Sequence, residues 1–181
     1  MKKLFTQLFL VISLCFLLCF SISCQNQEAM AELEEFKAQA EVEEQNIALI
    51  MRQYEAWNSG DVEAIKEIFS PDYVFHSGSQ DFSKEQMIEF LKPQMEAWPD
   101  RTFSVEDILA KGDKVVSKFI FKGTHEGDIE GIPATGKKVE NPGIEIWQVE
   151  NGKIVESWEV SDTLSFYKQL GFEFKPKEAE K

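Results

Sequence analysis

The stretch Val139–Ser161, VENPGIEIWQVENGKIVESWEVS, decides the fold. At its centre Asn151-Gly152 is the dipeptide of a two-residue hairpin turn, whose central positions take positive φ and are filled most cheaply by Asn and Gly. The flanking runs, Val139 to Val149 and Ile154 to Ser161, roughly alternate apolar and polar residues, as strands with one buried face do. Upstream, Thr102 to Leu109 and Val115 to His125 read the same way around a turn at Gly112-Asp113. The C-terminal half is therefore predicted to be an antiparallel meander.

The residues before Thr102 follow a different period. Ile47, Ile50, Met51, Tyr54 and Trp57 recur three and four apart, the apolar stripe of a helix. Asn58-Ser59-Gly60-Asp61 ends it, and Asp61 is placed to cap a short helix over Val62 to Phe69. Pro71 closes that helix, and Tyr73 to Ser77 reads as a short strand before Gly78. Ser83 with Gln86 forms a capping box for a helix to about Trp98, which Pro93 is expected to kink or shorten. A last helix, Thr163 to Leu170, is ended by Gly171. Helices followed by strands argue for an α+β domain with its helices on one side of a curved antiparallel sheet.

The N-terminus has the three-part layout of an export signal: Lys2 and Lys3, an apolar run from Leu8 to Phe20 broken only by Ser13, then Ser21 and Ser23 before Cys24. The run is shorter than the roughly 20 apolar residues of a spanning helix, which argues against an uncleaved anchor. Cys15 and Cys19 lie within it and no thiol follows Cys24, so no disulfide can staple the domain. Phe20-Ser21-Ile22-Ser23-Cys24 resembles the lipobox of bacterial lipoproteins, in which the cysteine is diacylated and becomes the mature N-terminus. Ser21, where Leu is commonest, and the bulky Ile22 depart from that pattern. The expectation is an exported lipoprotein of the cell envelope, anchored to a membrane through Cys24; the alternative is ordinary cleavage near Ser23 and a free secreted protein. This divides the chain into signal peptide 1–23, acidic spacer 24–43, a domain over 44–172 and a charged tail 173–181. Loss of Lys2 and Lys3 would take the formal charge from -13 to about -15, the wrong sign for nucleic acid as a partner.

Within the domain, Tyr54–Asp61 (YEAWNSGD), Tyr73–His76 (YVFH), Gly123–Gly127 (GTHEG) continuing through Gly131–Lys137 (GIPATGK), and Gly152–Trp158 (GKIVESW) occur in the order and spacing of a known family. With Asp162 and Gln169-Leu170-Gly171 they resemble the SnoaL-like polyketide cyclases, also called ester cyclases, over about residues 44 to 172. That family lies within the wider group similar to nuclear transport factor 2 (NTF2-like). The resemblance implies a cone-shaped cup, with helices packed on a curled sheet around an apolar pocket. It also implies ring closure by aldol chemistry without cofactor or metal, using an aspartate base near the end of the last strand. The same fold serves elsewhere for binding alone, so the resemblance does not fix a reaction.

Strand parity bears on the candidate base. Ile154, Glu156, Trp158, Val160 and Asp162 share one face if the strand runs uninterrupted, which would set Asp162 on an apolar wall where desolvation makes a carboxylate a better proton acceptor. The competing role for Asp162 is to cap the C-terminal helix. His125 shares its face with Phe119 and Phe121, and His76 shares one with Val74; either imidazole could polarise a substrate carbonyl, or simply be a satisfied structural histidine. Trp57, Phe119, Phe121, Trp147 and Trp158 are candidate pocket aromatics, with core packing as the plainer role. No paired-histidine spacing points to a metal. The expected partner is a small apolar ligand or carbonyl substrate, met by a cyclase, an isomerase or a tethered binding module. An exposed sheet face bearing Ile120 and Ile144 would suit a homodimer.

Overall fold

The computed structural model describes residues 2–78, 80–129 and 131–173, with side chains from position 27 onward. The signal-peptide and Cys24 readings fall on side chains outside those described. Among the described residues no helix is long and apolar enough to cross a membrane. The chain divides into two compact units, Met1–Glu41 and Val42–Lys181. The first belongs to helix α1 (Lys2–Ser59), so the segment read as a spacer is helical, and its apolar Met30, Leu33 and Phe36 are exposed.

The second unit is the α+β domain. The end of α1 is followed by α2 (Val62–Ile68), β1 (Phe69–Ser77), β2 (Gln80–Ser83), α3 (Lys84–Ala97), β3 (Thr102–Lys111), β4 (Lys114–Thr124), β5 (Lys138–Glu150), β6 (Lys153–Ser161) and α4 (Thr163–Gln169). Local chemistry sets these boundaries. The Asp61 carboxylate accepts from Ala64 N–H at 3.0 Å, and Ser83 and Gln86 form both halves of the capping box. Asn151 and Gly152 take φ of 51° and 72° to turn β5 into β6.

Helix α3 continues through Pro93 to Ala97, close to the end at about Trp98 read from the sequence, so Pro93 does not end it early. A helix-interior proline costs about 3 kcal/mol. Burial of Leu91, Ala97 and Trp98 opposes that cost, and the Arg101 side chain binds the last-turn carbonyl of Met95 and the carbonyl of Trp98 at 3.3 and 3.4 Å.

The six strands form one sheet in the order β2-β1-β6-β5-β4-β3. The meander β3 to β6 is antiparallel as read, but the sheet is mixed: β1 pairs parallel with β6, and β2, absent from the sequence reading, pairs with β1. The inner face of β5 carries Val139, Asn141, Gly143, Glu145, Trp147 and Val149, all buried. Gly143 is required by close approach, because a Cβ there would overlap the ring of Phe119 on β4. Ile50 and Tyr54 of α1, Ile65 and Ile68 of α2, and Leu91 of α3 close the core against this face. The architecture is the NTF2-like cup, with helices on the inner side of the sheet.

Candidate functional site

A cavity of about 290 Å³ lies inside the cup, lined by aromatic rings from α1, β1, β3, β4, β5 and α4. Trp57, Phe119, Phe121 and Trp147 are among them. Trp147 is fixed by its indole N–H, which donates to Ser117 Oγ at 2.9 Å; that hydroxyl also bonds Tyr54 Oη at 2.9 Å. Arg101, Gln53, Asn141, Glu145 and Glu159 add polar groups to this apolar wall. Gln53 Oε1, Asn141 Oδ1 and Trp57 Nε1 are buried without a hydrogen-bond partner among the described residues, so an occupant could satisfy them.

Trp158 does not line the cavity, and Asp162 is not on its wall. The reason is a single residue. Val149 pairs with Ile154 while Gln148 pairs with Glu156, so Val155 is an extra residue in β6. Such a bulge exchanges the faces of everything beyond it. Ile154 is buried as parity demands, but past Val155 the inward set becomes Ser157, Glu159 and Ser161, while Val160 is 76% exposed. Trp158 is turned to the other face, where its ring stacks on His76 at 4.8 Å and Lys114 Nζ lies 5.4 Å from the ring centre. His76 itself pairs with Asp81 through Nδ1 at 2.8 Å, outside the cavity.

Asp162 is the N-cap of α4: its carboxylate is exposed and accepts from Ser165 N–H at 2.9 Å. His125 is fully buried, with Nδ1 accepting from Thr135 N–H at 3.3 Å and its ring against Trp98, itself a cavity residue. Burial pushes this imidazole below its ordinary value against the opposing pull of Asp128. Asp162, His76 and His125 are thus not brought together. Because Asp162 acts as a cap, Asp162→Ala is expected to cost about 0.5–2 kcal/mol in urea unfolding.

The bulge brings together two acids that parity had hidden. Glu145 and Glu159 are direct cross-strand partners, and side chains so placed have Cβ atoms about 4.5–5.5 Å apart. Both line the cavity. Burial pushes the Glu145 carboxyl well above the usual carboxylate range, the charge of Glu159 pushes it further, and the Ser157 hydroxyl opposes both. Burial also raises Glu159, with Ser161 opposing. Tyr73 Oη lies 2.7 Å from Ser157 Oγ, extending the chain of hydroxyls behind Glu145. Two neighbouring buried carboxyls cannot both ionise easily, and the causes acting on each favour keeping the proton on Glu145. Among the described residues no group of three His, Cys, Asp or Glu is placed to hold a metal ion.

The comparisons with known proteins agree with this fold. The family model described as SnoaL-like polyketide cyclase matches residues 48–170. The aklanonic acid methyl ester cyclase of Streptomyces galilaeus is 27% identical over 133 residues, 70% of this chain and 91% of that protein. The structure of AclR from Streptomyces galilaeus, a candidate hydroxylase, superposes with a TM-score of 0.66 at 30% identity, covering 74% of this chain and 97% of AclR. That of IdmH from Streptomyces antibioticus, a candidate polyketide cyclase, gives 0.62 at 32% identity, covering 70% and 99%. With the match spanning the cup from α1 to α4, this chain belongs to the SnoaL-like polyketide cyclase family.

Proposed function

We propose that this chain is a cofactor-independent enzyme of cyclase or isomerase type, which moves a proton on a small, largely apolar carbonyl compound held in the cavity. The observation that carries the reading is the Glu145–Glu159 pair, cross-strand partners set among the aromatic rings of the cavity, where burial raises both carboxyls. The resemblance to the aklanonic acid methyl ester cyclase supports the reaction class.

The pair divides the roles. Glu159, ionised first, accepts the proton from carbon adjacent to a carbonyl, and the C–H electron pair becomes an enolate. That enolate attacks a second carbonyl of the same molecule, forming the new C–C bond. The resulting alkoxide takes the proton of Glu145, and Glu159 returns its proton to Glu145 to restore the starting state. In an isomerisation the proton returns to a different carbon instead. The test uses 2-tetralone, a bicyclic ketone: in D2O the protein should accelerate exchange of the protons next to the carbonyl, followed by proton NMR. A binding module without chemistry would hold the ketone and leave exchange at the solvent rate.

The membrane address belongs to the same proposal. An acylated Cys24 would hold the cup in the cell envelope through the helical segment that follows. Expressed in a bacterium fed a radiolabelled fatty acid, the parent should incorporate label and sediment with membranes, and Cys24→Ser should do neither. Label retained by the Cys24→Ser protein would rule out Cys24 as the attachment point.

A further inference from the structure

We propose that the exposed apolar stripe of α1, in the unit that precedes the cup, pairs with the same stripe of a second copy of this chain as a short parallel coiled coil. The family match begins at residue 48, so membership in that family does not account for the stripe. Ala29, Leu33, Phe36 and Ala40 are spaced four, three and four residues apart, the alternation that keeps one seam of a helix facing a partner helix. Leu33 is 44% exposed and Phe36 69%, and Ala29 and Ala40 are exposed with them. Large apolar side chains aligned on the exposed side of a helix mark a contact surface. The seam stops before Glu43, whose carboxylate is committed elsewhere: it accepts from Gly112 N–H at 2.9 Å and pairs with Lys111 at 3.6 Å.

The flanking charges select the occupant and its direction. With Leu33 at position a and Phe36 at d of the seven-residue repeat, Met30 and Lys37 fall at e, and Glu32 and Gln39 at g. A parallel coiled coil sets each g residue against the e residue five positions further along the other helix. Glu32 of each chain then meets Lys37 of the second copy, twice by symmetry. Antiparallel helices set e against e and g against g, which brings together no pair of opposite charge from these four positions. Glu28, Glu34, Glu35 and Glu41 fall at b and c, turned away from the seam. So many acids around one helix also make an anionic lipid surface a poor cover for the stripe.

The test is photocrosslinking in a bacterium, on the full chain, with p-benzoylphenylalanine in place of Phe36 and two different epitope tags on co-expressed copies. Irradiation should give a product of two chains that carries both tags. The same probe in place of Glu34, away from the seam, should give little of it. Leu33→Lys should lower the product from position 36 by about 10-fold or more, as loss of a buried leucine from each chain implies. Glu32→Lys should also weaken it, and Glu32→Lys combined with Lys37→Glu should restore it, a rescue that an unspecific apolar contact does not give. Leu33 and Glu32 are exposed in the single chain, so the variants should keep the parent's circular dichroism and melting temperature. Crosslinks that run only to lipid or to other proteins overturn the proposal. So does a two-tag product equally strong from position 34, or one indifferent to Leu33→Lys or to the charge reversals.

Discussion

Replacing Glu159 with Gln is expected to lower the exchange of 2-tetralone protons by about 10²–10⁴-fold, the usual contribution of a positioned general base. The amide keeps the volume and polar contacts of the carboxylate, so the cavity and its affinity for the ketone should be nearly unchanged, and the melting temperature should not fall. Loss of rate without loss of binding is the signature of a group that acts on the reacting proton. The rate of the parent should rise with pH as Glu159 ionises, through a midpoint above the ordinary carboxylate value because burial raises it. Exchange in Glu159→Gln within a few-fold of the parent would remove the pair from the chemistry.

Much of this fold is legible because its signals are local. Asn151-Gly152, the Asp61 cap and the Ser83–Gln86 box each depend on side chains within three residues of one another. The strands of the meander show their faces in their alternation, as where Phe119 and Phe121 share one side of β4 and Lys118 and Lys122 the other. The parallel pairing of β1 with β6 is not local: it joins segments about 80 residues apart, as His76 with Trp158, and nothing in either segment names the other. β2 is four residues long and mostly exposed, too short to show a period.

The candidate site was hidden for two separable reasons. In β5 the outward set includes Ile144 and Ile146, so both faces read as apolar and Glu145 did not stand out as an acid turned inward. In β6 the face of every residue after Val155 depends on whether that residue is counted in the ladder. The uninterrupted count put Trp158 and Asp162 inward and left Glu159 outward. A bulge follows from how two strands close on the cup, and the sequence of one strand does not announce it. The useful warning was Asp162 itself, since an aspartate directly before a short helix has a sufficient local role as its cap.

Replacing Glu145 with Gln should stabilise the folded chain at neutral pH, by an amount that grows as the pH is raised. Glu145 is buried among apolar residues, and its proton is held to far higher pH in the folded state than in the unfolded chain. Between the unfolded value, about 4.3 for a glutamate, and the raised folded value, the folded state binds more protons than the unfolded state. The stability of the parent therefore falls as pH rises through that window. Below it both states are protonated and the contribution is fully present; above it the loss is complete. An uncharged Gln carries no such penalty. The two proteins should melt together near pH 4, diverge as the pH rises above the unfolded value with the variant ahead, and stop diverging once the parent's Glu145 ionises in the folded state. Melting curves that stay parallel as the pH rises would mean that Glu145 is solvated as an ordinary carboxylate, and the pair would lose its protonated member. If the variant is more stable and also slower in proton exchange, the destabilising acid is retained for its chemistry, the balance expected where a site is tuned for function at the expense of the fold.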